Sequence, residues 1–423
     1  MISGLNILPC RANWAAKVTV GSMFLTNQKR ESVTGLFSRD SGRDFGQRKI
    51  SFSLLPDRAV RRTWDAFREV NPPGTVIGIP MWCDEGATLS AAAASGSTSL
   101  TVAGDTFIDW RSEGVLWYQP DPSSLPLVEG VQFTGISGST FTLASATVNA
   151  FPAGTELLPL MQGHQIDEYS EDALSPETSQ LTLAFDEELA QLTGFSVGGL
   201  PSALTYLGVP VLPLIVEWST PPKLSTGKGT HYVATGLNAE AIKTLRTYPR
   251  QTISHTVGLD GLEDRAVLWA FFHARRGRWD RFWLPALKDE LSLAANVGAS
   301  DTTLTLANYS DFVLRYQLGG DLRQFIFLTD GFNFWIRQVI NLSGGTNAVT
   351  IDSPLGTSLT MGAAQIGLLT LVQFAHDDIE IDCQAPVVAT CALSFTELEQ
   401  EYVEVVTSGT TNGTRVGQEL QPA

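Results

Sequence analysis

The chain has 423 residues, 43% hydrophobic and 17% charged, with 44 acids against 28 bases and a formal net charge of −16. This composition excludes a disordered polymer and predicts an ordered globular protein of two or more domains. The acidic excess repels phosphate backbones and anionic membranes, so a nucleic-acid binder would need a strong local basic face.

In chain order, the opening MISGLNILPCRANWAAKV has no basic region leading into an apolar run, and no stretch of about 18 apolar residues follows. Neither a secreted precursor nor a membrane protein is expected. RKISFSL, from Arg48, alternates like a strand. DRAVRRTWDAF then predicts a helix, with Val60, Trp64 and Phe67 on one stripe and Asp57 as N-cap. GVQFTGI and STFTLAS return to strand patterning. TGFSVGGLPSALTYLG, Thr193 to Gly208, is Gly-rich and reads as a linker. LEDRAVLWAFFHARRG predicts a second helix ending at Gly277 as C-cap. QFIFLTD and FWIRQVI are strand-like again, and VTSGTTNGTRVGQELQPA closes the chain as a polar arm.

The chain also repeats itself. Trp64, Phe67, Pro80, Asp84 and Glu85 recur about 205 residues later as Trp269, Phe272, Pro285, Asp289 and Glu290. VTGLFS at Val33 matches ATGLNA at Ala234, RKISF at Arg48 matches RQTISH at Arg250, and LTLAFDEE at Leu181 matches CALSFTEL at Cys391. The common order of these matches indicates an internal duplication. Residues 1–192 form repeat A, 193–208 the linker, 209–403 repeat B and 404–423 the arm. Each repeat carries an insertion after its acid pair, about 88–160 and 291–372, that reads as a small β-domain. The predicted fold class is therefore mainly β, two tandem barrel or sandwich domains, each with one short helix and one inserted β-domain.

The most unusual stretch is HARRGRWDRFWLPALKDE, from His273. Arg275, Arg276, Arg278, Trp279, Arg281 and Trp283 supply residue types that stack on nucleic acid, and equally those enriched at protein interfaces. Repeat A keeps the aromatic, proline and acid frame but lacks the arginines, and the molecule is acidic, so an interface is the preferred reading. Adjacent acids such as Asp84/Glu85 on an extended segment point to opposite faces and do not form a glycosidase pair. His164, His231, His255, His273 and His376 show no metal-ligand spacing, no nucleophile motif occurs, and Cys10, Cys83, Cys383 and Cys391 lie far apart. No catalytic, cofactor or metal site is expected. FNFWIRQVI and the Trp110 to Trp117 region leave room for sugar platforms on the insertions.

VLPLIVEWSTPPK, TLRTYPRQTISH and LEDRAVLWAFFHARRGRWDRFWLPALKDE together resemble the distal tail protein family of long-tailed phages and gene-transfer agents. Repeat B carries the pattern at Trp218, Pro249, Arg250, Phe272, Ala274 to Arg278, Phe282 and Asp289, whereas repeat A lacks the RRGR run. The resemblance implies tail-tube-like domains and a non-enzymatic baseplate protein of the virion, assembled in the host cytoplasm. It implies a ring between tail tube and hub whose bore passes DNA, with tail tube, hub and tape-measure proteins as neighbours and no cofactor. Two repeats per chain would let a trimer stand in for a six-fold ring, or a hexamer line its bore with one copy. The alternative reading is a virion-attached carbohydrate-binding module that uses the insertions.

Overall fold

The computed structural model describes residues 5–398 apart from 32–36, 57, 122–124, 167–169, 175–178, 192–193, 196, 203, 213–218, 228–229, 235–239, 245–248, 287–290, 320–323 and 332. Strand exceeds helix, 47% against 13%, so the chain is mainly β. The predicted N-cap Asp57 and the C-terminal arm lie outside the described residues.

Among the described residues twelve strands from both repeats build one antiparallel sheet, which strands of the two insertions extend to 21. From repeat A come β1 (Val18–Met23), β2 (Gln47–Leu54), β3 (Ile77–Pro80), β4 (Glu156–Gln165), β5 (Ser170–Ala173) and β6 (Ser179–Glu187). From repeat B come β7 (Lys223–Gly227), β8 (Arg250–Asp260), β9 (Phe282–Pro285), β10 (Gln365–Phe374), β11 (Asp378–Ala385) and β12 (Val388–Glu397). In repeat A, β2 lies between β1 and β6, while β6 carries β5 along one half and β4, then β3, along the other. Repeat B repeats this order with β7, β8, β12, β11, β10 and β9. The two halves join where β1 pairs antiparallel with β11, from Val18 opposite Cys383 to Met23 opposite Asp378.

Alternation fixes the two faces of this sheet. In β6, SQLTLAFDE, every second side chain from Ser179 to Glu187 is buried, the period of a strand with one covered face. The covered face is a single hydrophobic cluster that takes Val20, Phe52, Trp64 and Phe185 from repeat A and Val257, Phe272, Phe282 and Phe395 from repeat B. One core therefore spans the linker. Two helices pack into it. α1 (Arg58–Val70) inserts Trp64, and α2 (Gly261–Arg275) inserts Leu268, Trp269, Phe271 and Phe272.

Helix α2 departs from its expected ending. The left-handed C-cap is Arg276, at φ 50° and ψ 51°, whose N–H bonds back to Phe272 and His273 carbonyls. Gly277 follows, also left-handed at φ 64°. A Cβ at Gly277 would lie 3.0 Å from the Asp377 Cα, so glycine is needed one residue beyond the cap for close backbone approach.

Each insertion has its own core. Leu89, Leu100, Trp110, Phe133 and Phe141 pack together in the first, and Leu304, Phe312, Ile326, Leu328 and Ile366 in the second. The second also holds a helix that strand patterning did not predict, α3 (Tyr309–Gly319). Its buried Tyr309 and Phe312 stand three apart, one turn of helix, a signal too short to register against the surrounding strands. Among the described residues no helix is long and apolar enough to cross a membrane.

Candidate assembly interface

The arginine run sits where α2 turns back towards β9, and the structure brings it against carboxylates of its own chain. Arg275 Nη1 lies 2.5 Å from Asp280 Oδ2, with its guanidinium 5.9 Å from the Phe271 ring. Arg276 covers the Trp279 ring at 5.3 Å and reaches Asp44 of repeat A at 3.3 Å. Arg278 Nε is 2.9 Å from Asp377, in the turn between β10 and β11. The Arg281 backbone N–H donates to Asp280, and Trp283 is buried with its indole N–H donating to the Tyr206 carbonyl at 3.1 Å. Five of the six residues thus form a half-exposed clasp around the end of α2, and Trp283 is core. Of these pairs, Arg276–Asp44 joins the two repeats. Half-exposed pairs like these contribute roughly 0–1 kcal/mol each.

The join between repeats is polar as well as apolar. Opposite one another on β1 and β11, the Thr19 hydroxyl donates to Asp382 at 2.7 Å, and Lys17 pairs with the same carboxylate at 2.9 Å. Beneath the sheet, Arg265 of α2 lies 2.6 Å from Asp84 of repeat A. Burial pushes the Asp84 carboxyl up, against the pull of Arg265. Arg265 also approaches Cys383 Sγ at 3.7 Å, and Cys83 and Cys383 are both buried as free thiols. Burial raises the Cys83 thiol well above its usual range. Cys10 and Cys391 are buried separately as free thiols.

A second buried ionic group belongs to repeat A. Arg48 makes two bonds to Glu187 Oε1, at 2.6 and 2.9 Å, and Arg111 links Glu187 at 3.4 Å to Asp109 at 2.7 Å. Buried charges persist only with such pairing. The repeated acid is Glu397, which accepts the Gln251 N–H at 3.0 Å just as Glu187 accepts that of Arg48. Repeat B keeps the carboxylate and replaces its arginine by glutamine. The aligned LTLAFDEE and CALSFTEL carried that signal, which the sequence reading used only as a register mark.

The uncovered face of the sheet is lined by small and polar side chains. Thr19 and Gly21 on β1, Ser51 on β2, Thr182 and Ala184 on β6, Thr252, Ser254 and Thr256 on β8, and Thr390, Ala392 and Ser394 on β12 share this face by strand register. Its carboxylates Asp172, Asp186, Asp378, Glu380 and Asp382 outnumber the bases Lys17, Lys49, Lys223 and Arg250. Four strands end the sheet among the described residues, and two of them, β3 and β9, are flanked by parallel bridges to Ile7 and Val211. Among the described residues β7 pairs only with β8, and β5 only with β6. All five residues of β7 are exposed.

The remaining candidates divide. Asp84 ends a single 3-10 turn, Trp82–Asp84, where the sequence predicts an extended segment, and is half-buried against Arg265, while Glu85 pairs with Arg11 at 2.9 Å; Asp289, Glu290 and Trp218 lie outside the described residues. Trp110 and Trp117 are buried, the first between Phe133 and Phe141, and so offer no exposed platform. Phe334 stacks on Phe327 and Trp335 packs on the second insertion's core, while Phe332 lies outside the described residues. The linker's Phe195 stacks on His273 at 5.1 Å, which ties that Gly-rich segment to α2. Among the described residues no cluster of His, Cys, Asp and Glu could hold a metal.

His255 exposes the duplication most directly. By register it takes the place of Phe52: the Phe52–Phe185 pair at 5.9 Å recurs as His255–Phe395 at 5.3 Å. Both imidazole nitrogens are buried without a hydrogen-bond partner, and burial pushes the His255 pKa down to about 4.

Compared with known proteins, the chain matches no protein-family model and no curated protein.

Proposed function

We propose that this chain is a structural, non-enzymatic ring protein of a phage tail tip, joining tail tube to hub around a DNA passage. The observation that carries the reading is the edge-to-edge union of the two repeats, which puts strands of both on one uncovered face. That face is what a conduit for a sliding polyanion needs. Hydroxyls and small side chains offer no stacking platform, and excess carboxylate repels phosphate. Because both repeats contribute to the face, three chains would present six repeats to one bore, which favours the trimer over a hexamer lined by one copy. The family resemblance supports the same reading through the second helix and the run that follows it.

The arginine run, on this reading, holds each chain's own repeats in register and presents its half-exposed edge to a neighbouring ring protein. Native mass spectrometry across a concentration series, with negative-stain imaging, tests the proposal. Trimeric rings with an open centre are expected. A monomer at every concentration, with tail-tube protein also present, would overturn it.

A further inference from the structure

We propose that the two free sheet edges of different chains join, β7 of one pairing antiparallel with β5 of the next, with Lys223 opposite Asp172. This rests on the ring reading above and names the partner of that surface, a second copy of this chain.

The internal join is the template. Thr19 pairs with Ser51 on β2, and Lys223 pairs with Ser254 on β8. Ser51 and Ser254 are equivalent, because they face Ala184 and Ser394 in the aligned LTLAF and CALSF segments. Lys223 therefore stands where Thr19 stands. On the other edge, Asp382 faces Thr390 and Asp172 faces Gln180, again equivalent positions, so Asp172 stands where Asp382 stands. Thr19 opposes Asp382 within the chain. Carrying that register to the free edges sets Lys223 opposite Asp172, Leu224 opposite Glu171 and Ser225 opposite Ser170.

Three further observations agree. First, the charges complement. The internal join uses Lys17 on Asp382, and Lys17 has Pro221 as its equivalent, so the cation has moved two residues along the same strand face, from position 17 to the equivalent of 19. The aspartate keeps a lysine at either join. Second, Leu224 is 52% exposed where its counterpart Val20, covered by the internal join, is 7% exposed. Third, among the described residues neither edge has a further strand partner, a feature soluble proteins otherwise blunt or cover. The contact is head-to-tail, so it propagates with the same rotation as the internal one and closes into a ring when that rotation divides a full turn.

The test is a Lys223→Cys, Asp172→Cys double variant, oxidised with oxidised glutathione and run beside each single variant. Directly opposed antiparallel positions have Cα atoms about 4.5–5.5 Å apart, within disulfide reach. A covalent ladder ending at three chains, at least about tenfold more abundant than in the singles, is expected. In parallel, Lys223→Asp should dissociate the ring and Lys223→Asp with Asp172→Lys should restore it. Rings that form in the wild type, yet give no crosslink and ignore Lys223→Asp, would overturn this edge pairing while leaving the ring reading intact. Wild-type monomers under all conditions would overturn both.

Discussion

His255→Phe tests whether the duplicated core has been read correctly. Phenylalanine already fills the equivalent position as Phe52, stacked on Phe185, so the replacement restores a pair the fold accommodates. His255 is 4% exposed and neither ring nitrogen has a partner. Leaving such atoms dry costs on the order of 1–3 kcal/mol, which the variant regains at neutral pH, less any strain from fitting the slightly larger ring. The pH dependence is sharper. Burial holds the folded-state pKa at about 4, whereas the unfolded imidazole titrates near ~6.5. The unfolded chain therefore binds more protons between these values, and stability falls as pH drops from about 6.5 to about 4. Over about 2.5 units at roughly 1.4 kcal/mol per unit, the full loss is about 3.5 kcal/mol. Urea unfolding at pH 7.5 and pH 4.5 measures it. Desolvation also holds the half-buried His273 well below its usual range, so the difference between wild type and variant is the quantity to read. Parallel loss of stability in the two proteins on acidification would refute the burial argument.

Asp84→Ala strands the Arg265 guanidinium in the core and should cost about 3–5 kcal/mol in the urea midpoint, since breaking one side of a buried pair leaves a bare charge; an unchanged midpoint would show the pair to be solvated. The Arg275→Ala, Arg276→Ala, Arg278→Ala triple variant should lose about 1–3 kcal/mol of chain stability while rings persist in native mass spectrometry, because its acids lie in the same chain. Loss of rings without loss of stability would move the run to a contact between chains. Gly277→Ala, placed at φ 64° against Asp377, should destabilise by about 1–3 kcal/mol, and Asn at the same position less than Ala. Equal midpoints for Ala and Asn would remove the left-handed argument.

Much of the fold could be read from patterning because strands with one covered face alternate visibly. LTLAFDEE and CALSFTEL fixed the equivalent strands, and the Trp64 and Trp269 helices lie where their apolar stripes put them. The shared core could not be read. Val20 and Ile381 look alike whether their strands close two separate sheets or pair in one, because period-two burial reports which face is covered and not which strand lies beside it. The same limit hid the partners of the arginine run. Asp44 and Asp377 stand 232 and 99 residues from their arginines, and nothing local distinguishes them from other surface acids. His255 was readable in principle, as a polar residue set where the other copy has phenylalanine, once the RKISF and RQTISH segments were aligned.

The two kinds of join make different physical demands, and their residues differ accordingly. The internal one is tethered, so its partners meet at a high effective concentration and need little long-range attraction. There, the strand pair opposes a threonine to an aspartate that Lys17 reaches from two residues away, and further specificity comes from a contact made only after docking, the Arg265–Asp84 pair. The proposed external join must form between separate molecules of one acidic protein, whose net charge of −16 opposes encounter. A lysine placed directly opposite an aspartate steers that encounter and penalises other registers, because a slip of one residue puts the two charges on opposite faces. The lysine at 223, where the internal join has threonine, follows from that difference, and its effect on assembly should weaken as salt is raised.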